Sequence, residues 1–349
     1  MAKKTTIYDL AKKLGVSPAT VSRSLNEHPS ISIKTKERVL KAAKETGYRI
    51  NKFASNLSLQ KSNTIGVIVP RLNSDFMSTV LSGIEKMVNE AGYNLIISQS
   101  LELEAKEKIN AKTLFESGVD ALLVSLANET EDYDHFATFT ERKIPLLFFD
   151  RVFDIPNCPT IIIDNQLAGF EATEHLINQG CQNILHVSGN LKRSVYNLRY
   201  KGYRQALEKH SLKDCENLVQ IPHFKPDSVQ SVIQYISTTA VPIDGLFVSN
   251  DSFAVYCIKA LTKKGYKIPE DIKVIGFNND PVSEVIDPEL STIEYPGYKM
   301  GVLAGQSILG HLGGSIDIES ADQIIIKHKL IIRESSRKCN TQTPDSNEN

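Results

Sequence analysis

The run Ser17-Pro18-Ala19-Thr20-Val21-Ser22-Arg23 sets small hydroxyls and one guanidinium along a short stretch of chain. Small hydroxyls approach phosphate oxygens closely, and an arginine can reach the paired acceptors on the edge of guanine. A second set of polar residues stands just after β-branched or aromatic runs. Arg71, Asn73, Asp75 and Phe76 follow residues 64–69, and Gln99 and Ser100 follow residues 94–98. Asp150 and Arg151 follow Phe148-Phe149, Asn250 and Asp251 follow Leu246-Phe247-Val248, and Asn278 and Asn279 follow Val274-Ile275-Gly276-Phe277. Arg199 comes shortly after Ser188-Gly189-Asn190. Carboxylates, amides and arginines around one opening suit a polyhydroxyl ligand, whose hydroxyls both donate and accept. Phe76, Phe224 and Tyr295 offer faces for a sugar ring, and serve equally as core or rim. Taken singly, each polar residue also reads as a helix cap or solvated loop residue, Asp251 in particular as a helix start.

The hydroxyl and arginine run needs a scaffold, and the flanking residues supply one. Thr6 with Asp9 three residues on resembles a capping box. Leu10, Ala11 and Leu14 share one helical face, and Gly15 suits the left-handed turn that ends such a helix. Ser17 caps the next helix, Pro18 takes its first position, and Val21 and Leu25 point inward. The small Ala11 and Gly15 let the two helices cross closely. Ser32 caps a third helix over residues 34–45, with Val39, Leu40 and Ala43 inward and Gly47 at its stop. Residues 48–62 form a polar, weakly helical link. Two short helices joined by a tight turn make a helix-turn-helix, which lays its second helix in the DNA major groove.

Charge is distributed to match. Residues 1–62 hold 13 Lys+Arg and 4 Asp+Glu, whereas the remainder holds 27 and 37. A basic head on an acidic body fits a polyanionic partner at one end. Beyond the head, short apolar runs alternate with helical stretches. Strands are expected at residues 64–69, 94–98, 121–124, 145–149, 184–187, 245–248 and 274–277. Helices are expected at 75–90, 104–117, 168–179, 198–209 and 251–264. This rhythm predicts parallel sheets with helices on both faces, arranged as two Rossmann-like lobes whose ligand sits at the carboxyl ends of the strands.

Other classes find little support. There is no G-x-G-x-x-G or G-x-x-x-x-G-K-[ST] phosphate loop, no G-x-S-x-G and no H-E-x-x-H, so neither an enzyme nor a cofactor is expected. The eight histidines lack metal-ligand spacing, and the five cysteines are never spaced C-x-x-C; no metal site is expected, and the thiols suit a reducing compartment. No apolar run of about 18 residues is present, and the basic N-terminus has no apolar segment behind it, so the expected location is the cytoplasm. A solute-binding protein of a transport system is the alternative reading. It would share the body, but would need an export signal and would lack the basic head.

Thr6 to Asn26, the Gly47-Tyr48 stop, and Ala54-x-x-Leu57 running into Asn63-Thr64-Ile65-Gly66-Val67-Ile68 resemble the bacterial LacI/GalR family of transcription regulators. The similarity reaches to about residue 335. It implies a small all-α helix-turn-helix head on an α/β, periplasmic-binding-protein-like body of two lobes. It also implies a DNA-binding domain over residues 1–50, a hinge helix over 51–62, an effector-binding and dimerisation body over 63–335, and a disordered tail over 336–349. The function implied is a repressor of transcription controlled by a sugar-like effector.

Carried onto this sequence, the resemblance puts Arg23, Pro18 and Ala19 over base edges. Ser17, Thr20, Ser22, Asn26, Ser32, Thr35, Tyr48 and Asn51 would hold phosphates, with Thr6, Tyr8 and Ala54 completing the DNA-facing set. Leu57 matches the leucine that wedges into the minor groove of a palindromic operator. Ile50 stands where the family usually has proline, which predicts a hinge helix slightly harder to form. In the body, Asp150, Arg199, Asn250 and Asn278 match effector-cleft positions; Arg71, Asn73, Phe76, Gln99, Phe224 and Tyr295 complete the expected site. The position of Asn278 is usually aspartate, so the loss of a charge predicts tolerance of an acidic sugar, with Arg71, Arg151 or Arg199 as its partner. The tail lacks leucine heptads, which favours a homodimer whose two-fold axis matches palindromic half-sites.

Overall fold

The computed structural model describes residues 5–48, 61–153, 155–156, 158–212, 218–318 and 323–337. The chain divides into two compact units, Met1–Ser62 and Asn63–Asn349.

In the first unit, helix α1 (Ile7–Leu14) begins on Thr6. The Asp9 amide donates to Thr6 Oγ1 at 3.3 Å, and the Thr6 amide donates to the Asp9 carboxylate at 2.9 Å. The reciprocal cap satisfies N–H groups that the first helical turn leaves unpaired. Gly15 then leaves the helix at φ 67°, a region where a Cβ is costly. Helix α2 (Pro18–Leu25) starts on Ser17 with proline at its head. Helix α3 (Ile33–Thr46) starts on Ser32 and stops at Gly47. Leu10, Ala11, Val21, Val39, Ala42 and Ala43 form the core, ringed by Ile7, Leu14, Val16, Leu25 and Tyr48. Leu40 departs from the sequence expectation: it is 48% exposed, and Ala42 takes the inward place. Ala42 and Ala43 lie within about 60° of Val39 around the helix, whereas Leu40 is about 100° away.

The second unit runs β1 (Thr64–Val69), α4 (Asp75–Glu90), β2 (Asn94–Gln99), α5 (Glu104–Glu116), β3 (Ala121–Val124), α6 (Ala137–Glu141), β4 (Leu146–Phe149) and β5 (Thr160–Ile163). It continues through α7 (Asn165–Asn178), β6 (Ile184–Val187), α8 (Ser194–Lys209), β7 (Val219–Gln220), α9 (Val229–Thr238), β8 (Gly245–Val248), α10 (Asp251–Lys263), β9 (Lys273–Asn278), α11 (Val282–Val285) and β10 (Ser291–Glu294). Helix α12 (Gly297–Leu312), β11 (Gln323–Ile326) and β12 (Lys329–Ile331) follow. Two six-stranded sheets result, in the orders β11-β5-β4-β3-β1-β2 and β12-β10-β9-β8-β6-β7. Among the described residues, every strand pairing is parallel except β10 with β12. Strands β3, β4, β5, β6 and β8 are buried along their whole length, as strands covered on both faces must be. The chain passes between lobes after β5, after β10 and after β11, so three segments join them.

The alternation read from the sequence omits α6, β5, β7, α9, α11, β10, α12, β11 and β12. Helix α12 is obscured by its own glycines, which exist for packing. A Cβ at Gly301 would meet the Val80 carbonyl, and one at Gly83 would meet the Tyr298 carbonyl; only bare backbone lets α12 and α4 cross this closely. The tail boundary also shifts. Ser335 and Ser336 are fully buried, and Ser336 Oγ lies 2.7 Å from His175 Nε2. The packed body therefore includes Ser336, the expected first residue of the tail, and residues 338–349 lie outside the described set.

Candidate ligand cleft and nucleic-acid interface

The DNA-facing candidates of the first unit are spread along α2 and over the starts of α1 and α3. Ser17 Oγ accepts from the Thr20 amide at 3.1 Å and lies 2.9 Å from Thr20 Oγ1. The same pattern recurs at Ser32 and Thr35, with amide and hydroxyl contacts of 3.3 and 2.9 Å. These hydroxyls thus begin as helix caps, and each retains lone pairs and a rotatable proton for a further partner. Ser17, Ala19, Arg23, Asn26 and Ser32 are exposed, while Pro18, Thr20, Ser22 and Thr35 are half-buried. Thr6 is exposed at the head of α1 and Tyr8 is 71% exposed. Ser24 turns inward, its hydroxyl donating to the Thr20 carbonyl at 2.7 Å. Tyr48 packs its ring partly against the head core. Asn51, Ala54 and Leu57, together with the hinge departure at Ile50, lie outside the described residues.

In the second unit, a cavity of about 740 Å³ opens between the two lobes. Arg71, Asn73, Phe76, Asp150, Arg199, Phe224, Asn250, Asn278 and Tyr295 all line it. The strands end here at their carboxyl termini, where loops leave the sheet and backbone groups are free to face a ligand. Gln99 is not brought into the lining; its Oε1 accepts from the Leu72 amide at 3.4 Å, and the loop that follows it, through Glu102, supplies the lining instead. Asp251 also stays out. It is fully buried and accepts from Thr292 Oγ1 at 2.7 Å and from the Asp280 amide at 2.8 Å. The helix cap is its neighbour Asn250, whose Oδ1 accepts from the Phe253 amide at 2.9 Å, leaving its amide nitrogen available to the cavity.

Asp150 leaves β4 at φ 59°. Its carboxylate accepts from Ser125 Oγ at 3.1 Å and from the Tyr295 hydroxyl at 3.0 Å. Burial pushes its pKa up, and Arg151 and Arg199 offset this only in part. The Tyr295 ring stacks on Phe76 with centroids 4.2 Å apart. Arg199 is 3% exposed; it donates to Asn165 Oδ1 at 2.9 Å and to the Ser249 carbonyl at 3.3 Å, and lies 3.5 Å over the Phe277 ring. Burial lowers its pKa from the ordinary arginine value.

Several lining residues carry no strand-end signature in the sequence. Glu102, at φ 67° in the loop after β2, accepts from Arg151 Nη1 at 2.6 Å, from Arg71 Nε at 3.4 Å and from the Asn128 amide at 3.0 Å. Burial raises this carboxyl, but Arg151 and Arg71 outweigh it and hold the pKa below the ordinary value. Tyr196 receives a 3.5 Å bond from Arg151 across the lobes, and Lys192 meets Glu131 at 2.7 Å on the same side. Asp280 lies two residues past Asn278, whose side-chain amide donates to its carboxylate at 3.3 Å. Burial, then Asp251 and Asp75, push Asp280 up to about 7. A carboxylate thus stands beside Asn278 after all, and Glu102 already occupies Arg71 and Arg151. Of the three arginines expected to meet an acidic sugar, Arg71 and Arg151 are thus taken by Glu102, while Arg199 lines the cavity with Asn165 and the Ser249 carbonyl as its hydrogen-bond partners. Asn190 is legible in the sequence only as part of Ser188-Gly189-Asn190, and nothing there points to Glu102 or Asp280.

Among the described residues, no group of three or more His, Cys, Asp or Glu side chains is placed to hold a metal, and no helix is long and apolar enough to cross a membrane.

Comparison with known proteins follows the same division. A family model of bacterial regulatory proteins, lacI family, matches residues 6–51, and one of a periplasmic binding protein-like domain matches residues 173–336. The ribose operon repressor of Halalkalibacterium halodurans is 30% identical over 335 residues, covering 95% of this chain and 97% of that protein. Catabolite control protein A of Priestia megaterium is 29% identical over 336 residues, covering 95% and 99%. The crystal structure of the lac repressor dimer bound to operator and the anti-inducer ONPF superposes with a TM-score of 0.83 at 25% identity, covering 96% of this chain and all of that one. A capped helix-turn-helix and a two-lobed parallel body, aligned end to end with these relatives, establish that the chain belongs to the lacI family of bacterial regulatory proteins.

Proposed function

We propose that this regulator binds a palindromic operator as a homodimer, represses transcription in the cytoplasm, and is controlled by a neutral sugar or sugar derivative held between the lobes. The observation that carries the ligand class is the chemistry of the cavity lining. Asn73, Asn250 and Asn278 both donate and accept, Asp150 and Asp280 accept, and the Phe76–Tyr295 stack offers an apolar face. The cations Arg71 and Arg151 are already paired with Glu102, which disfavours a ligand that needs a free positive charge. The dimer and operator come from the lac repressor structure, which holds both. In the proposed division of labour, residues 1–50 read DNA, 51–62 form the hinge, and the body from 63 binds effector and partner subunit. No catalytic role is assigned to any residue.

A ligand touching Asp150 and Phe76 on one lobe and Arg199 and Asn250 on the other stabilises one arrangement of the lobes over another. Its effect on DNA affinity equals its differential affinity for the two arrangements, typically about 1–3 kcal/mol. The test is a thermal-melt screen against neutral, acidic and phosphorylated sugars, followed by DNA titration with and without each ligand that shifts the melt. Ligand at about 100 times its dissociation constant adds about 2.7 kcal/mol. A shift with neutral sugars that also changes DNA affinity supports the reading; a shift confined to phosphorylated or acidic sugars refutes the neutral class.

A further inference from the structure

The wall of the cleft formed by Asn278 and Asp280 is held in an unusual backbone conformation. Asn278 has φ 121° and Asn279 has φ 60°, two consecutive left-handed residues that are not glycine. Such residues persist only where their surroundings over-determine them. From inside, Asp251 accepts the Asp280 amide at 2.8 Å. From outside, the cation in contact is Arg333, on the segment that follows β12.

Arg333 is remote in sequence and does not line the cavity, yet its side chain is only 10% exposed. Nη2 donates to Asn279 Oδ1 at 2.9 Å and to Glu284 at 2.8 Å, while Nη1 donates to the Leu290 carbonyl at 2.9 Å and to Ser283 Oγ at 3.2 Å. Its backbone is fixed in turn: the Arg333 amide donates to Ser291 Oγ at 2.8 Å, and that hydroxyl lies 3.0 Å from the Arg333 carbonyl. Ser335 Oγ donates to the Val274 carbonyl at 2.7 Å. The segment is thus a strap across the back of β9 and β10, and a planar guanidinium on it reaches three chain segments at once, a geometry an ammonium cannot match.

We propose that Arg333 is a positioning residue that fixes the Asn278–Asp280 wall of the cleft through Asn279, and so sets ligand affinity without touching ligand. This rests on the cavity being the effector site. Hydrogen exchange on the full-length protein tests the positioning directly. In Arg333→Met, exchange of the Asn279 and Asp280 amides rises tenfold or more while β8 and β9 keep their protection, and Arg333→Lys recovers only part of it. Asn279→Gly accepts φ 60° without strain and should fold; adding Arg333→Met in that background changes the loop's exchange little, because the shared contact is already gone. D-ribose, D-glucose and cellobiose serve as probes. Any that binds wild type should lose tenfold or more in affinity in Arg333→Met, with ligand-free DNA affinity kept. Exchange that is unchanged, or raised evenly through the lobe, overturns the proposal, as does a locally loosened wall with unchanged sugar affinity. If none of the three sugars binds wild type, these three are not the effector, and the exchange pattern alone decides for or against the clamp.

Discussion

Asp280→Asn should raise stability at neutral and alkaline pH, by an amount that grows with pH. The substitution keeps the shape and keeps an oxygen to accept from the Asn278 amide at 3.3 Å, but removes a carboxylate that burial, Asp251 and Asp75 push up from 3.8 to about 7. The sign follows from linkage. Between those two values the folded protein holds a proton that the unfolded chain has released, so this group's contribution is greatest below pH 4 and is lost as pH rises through 7. Across that interval each step of one in pH is worth about 1.4 kcal/mol. The advantage of the variant over wild type therefore grows from about 2 kcal/mol at pH 5 to about 4 kcal/mol at pH 8, then stays level. The pH profile of wild type alone does not isolate this effect. Burial pushes His175 down to about 4 and His186 to about 3, and those neutral histidines make stability rise with pH up to the ordinary histidine range. The difference between variant and wild type cancels them. Urea unfolding of both proteins at pH 5, 6, 7 and 8 supplies that difference. A constant gap across this range would show that Asp280 is ionised throughout, and that the crowding of carboxylates around Asp251 is relieved in some other way.

Glu102→Gln leaves Arg151 and Arg71 without their shared carboxylate. It should cost about 2 kcal/mol in urea unfolding, less than for a fully dry pair, and should let D-glucuronate raise the melting temperature where it does not in wild type. An unaltered ligand profile would show that these cations do not govern ligand charge. Gly301→Ala drives a methyl into the Val80 carbonyl; a loss of about 3 kcal/mol is expected, at the upper end for overpacking because backbone cannot step aside. Calorimetry showing a near-neutral change would mean that α12 and α4 can separate freely. Arg23→Ala should narrow the preference for selected operator over random DNA by about 1–3 kcal/mol, whereas Ser17→Ala should weaken both alike. Equal losses on both DNAs in an anisotropy titration of Arg23→Ala would remove its base-reading role.

Local chemistry is what the sequence makes legible. Thr6 with Asp9, Ser17 with Pro18, and Ser32 are caps whose partners lie within three residues, so the head helices follow from nearest neighbours. The strands at 64–69, 121–124, 184–187 and 245–248 can be read because parallel strands buried on both faces become unbroken apolar runs. Their ends, with those of the strands at 145–149 and 274–277, point to Asp150, Asn250 and Asn278. What stays hidden depends on contacts between distant segments. Helix α12 reads weakly because its glycines answer to α4, far earlier in the chain. Asp280 gains its perturbed carboxyl from Asp251 and Asp75, and Glu102 gains its role from Arg151. Leu40 reads as inward by its type, and only the packing of three helices shows that Ala42 fits there. The caps, the strand runs and the charge division were determined by the sequence itself, because each is settled within a few residues. The charge state of the cleft, the strap from Arg333 and the burial of Ser336 were decided by tertiary structure, because burial and partners from remote segments set them.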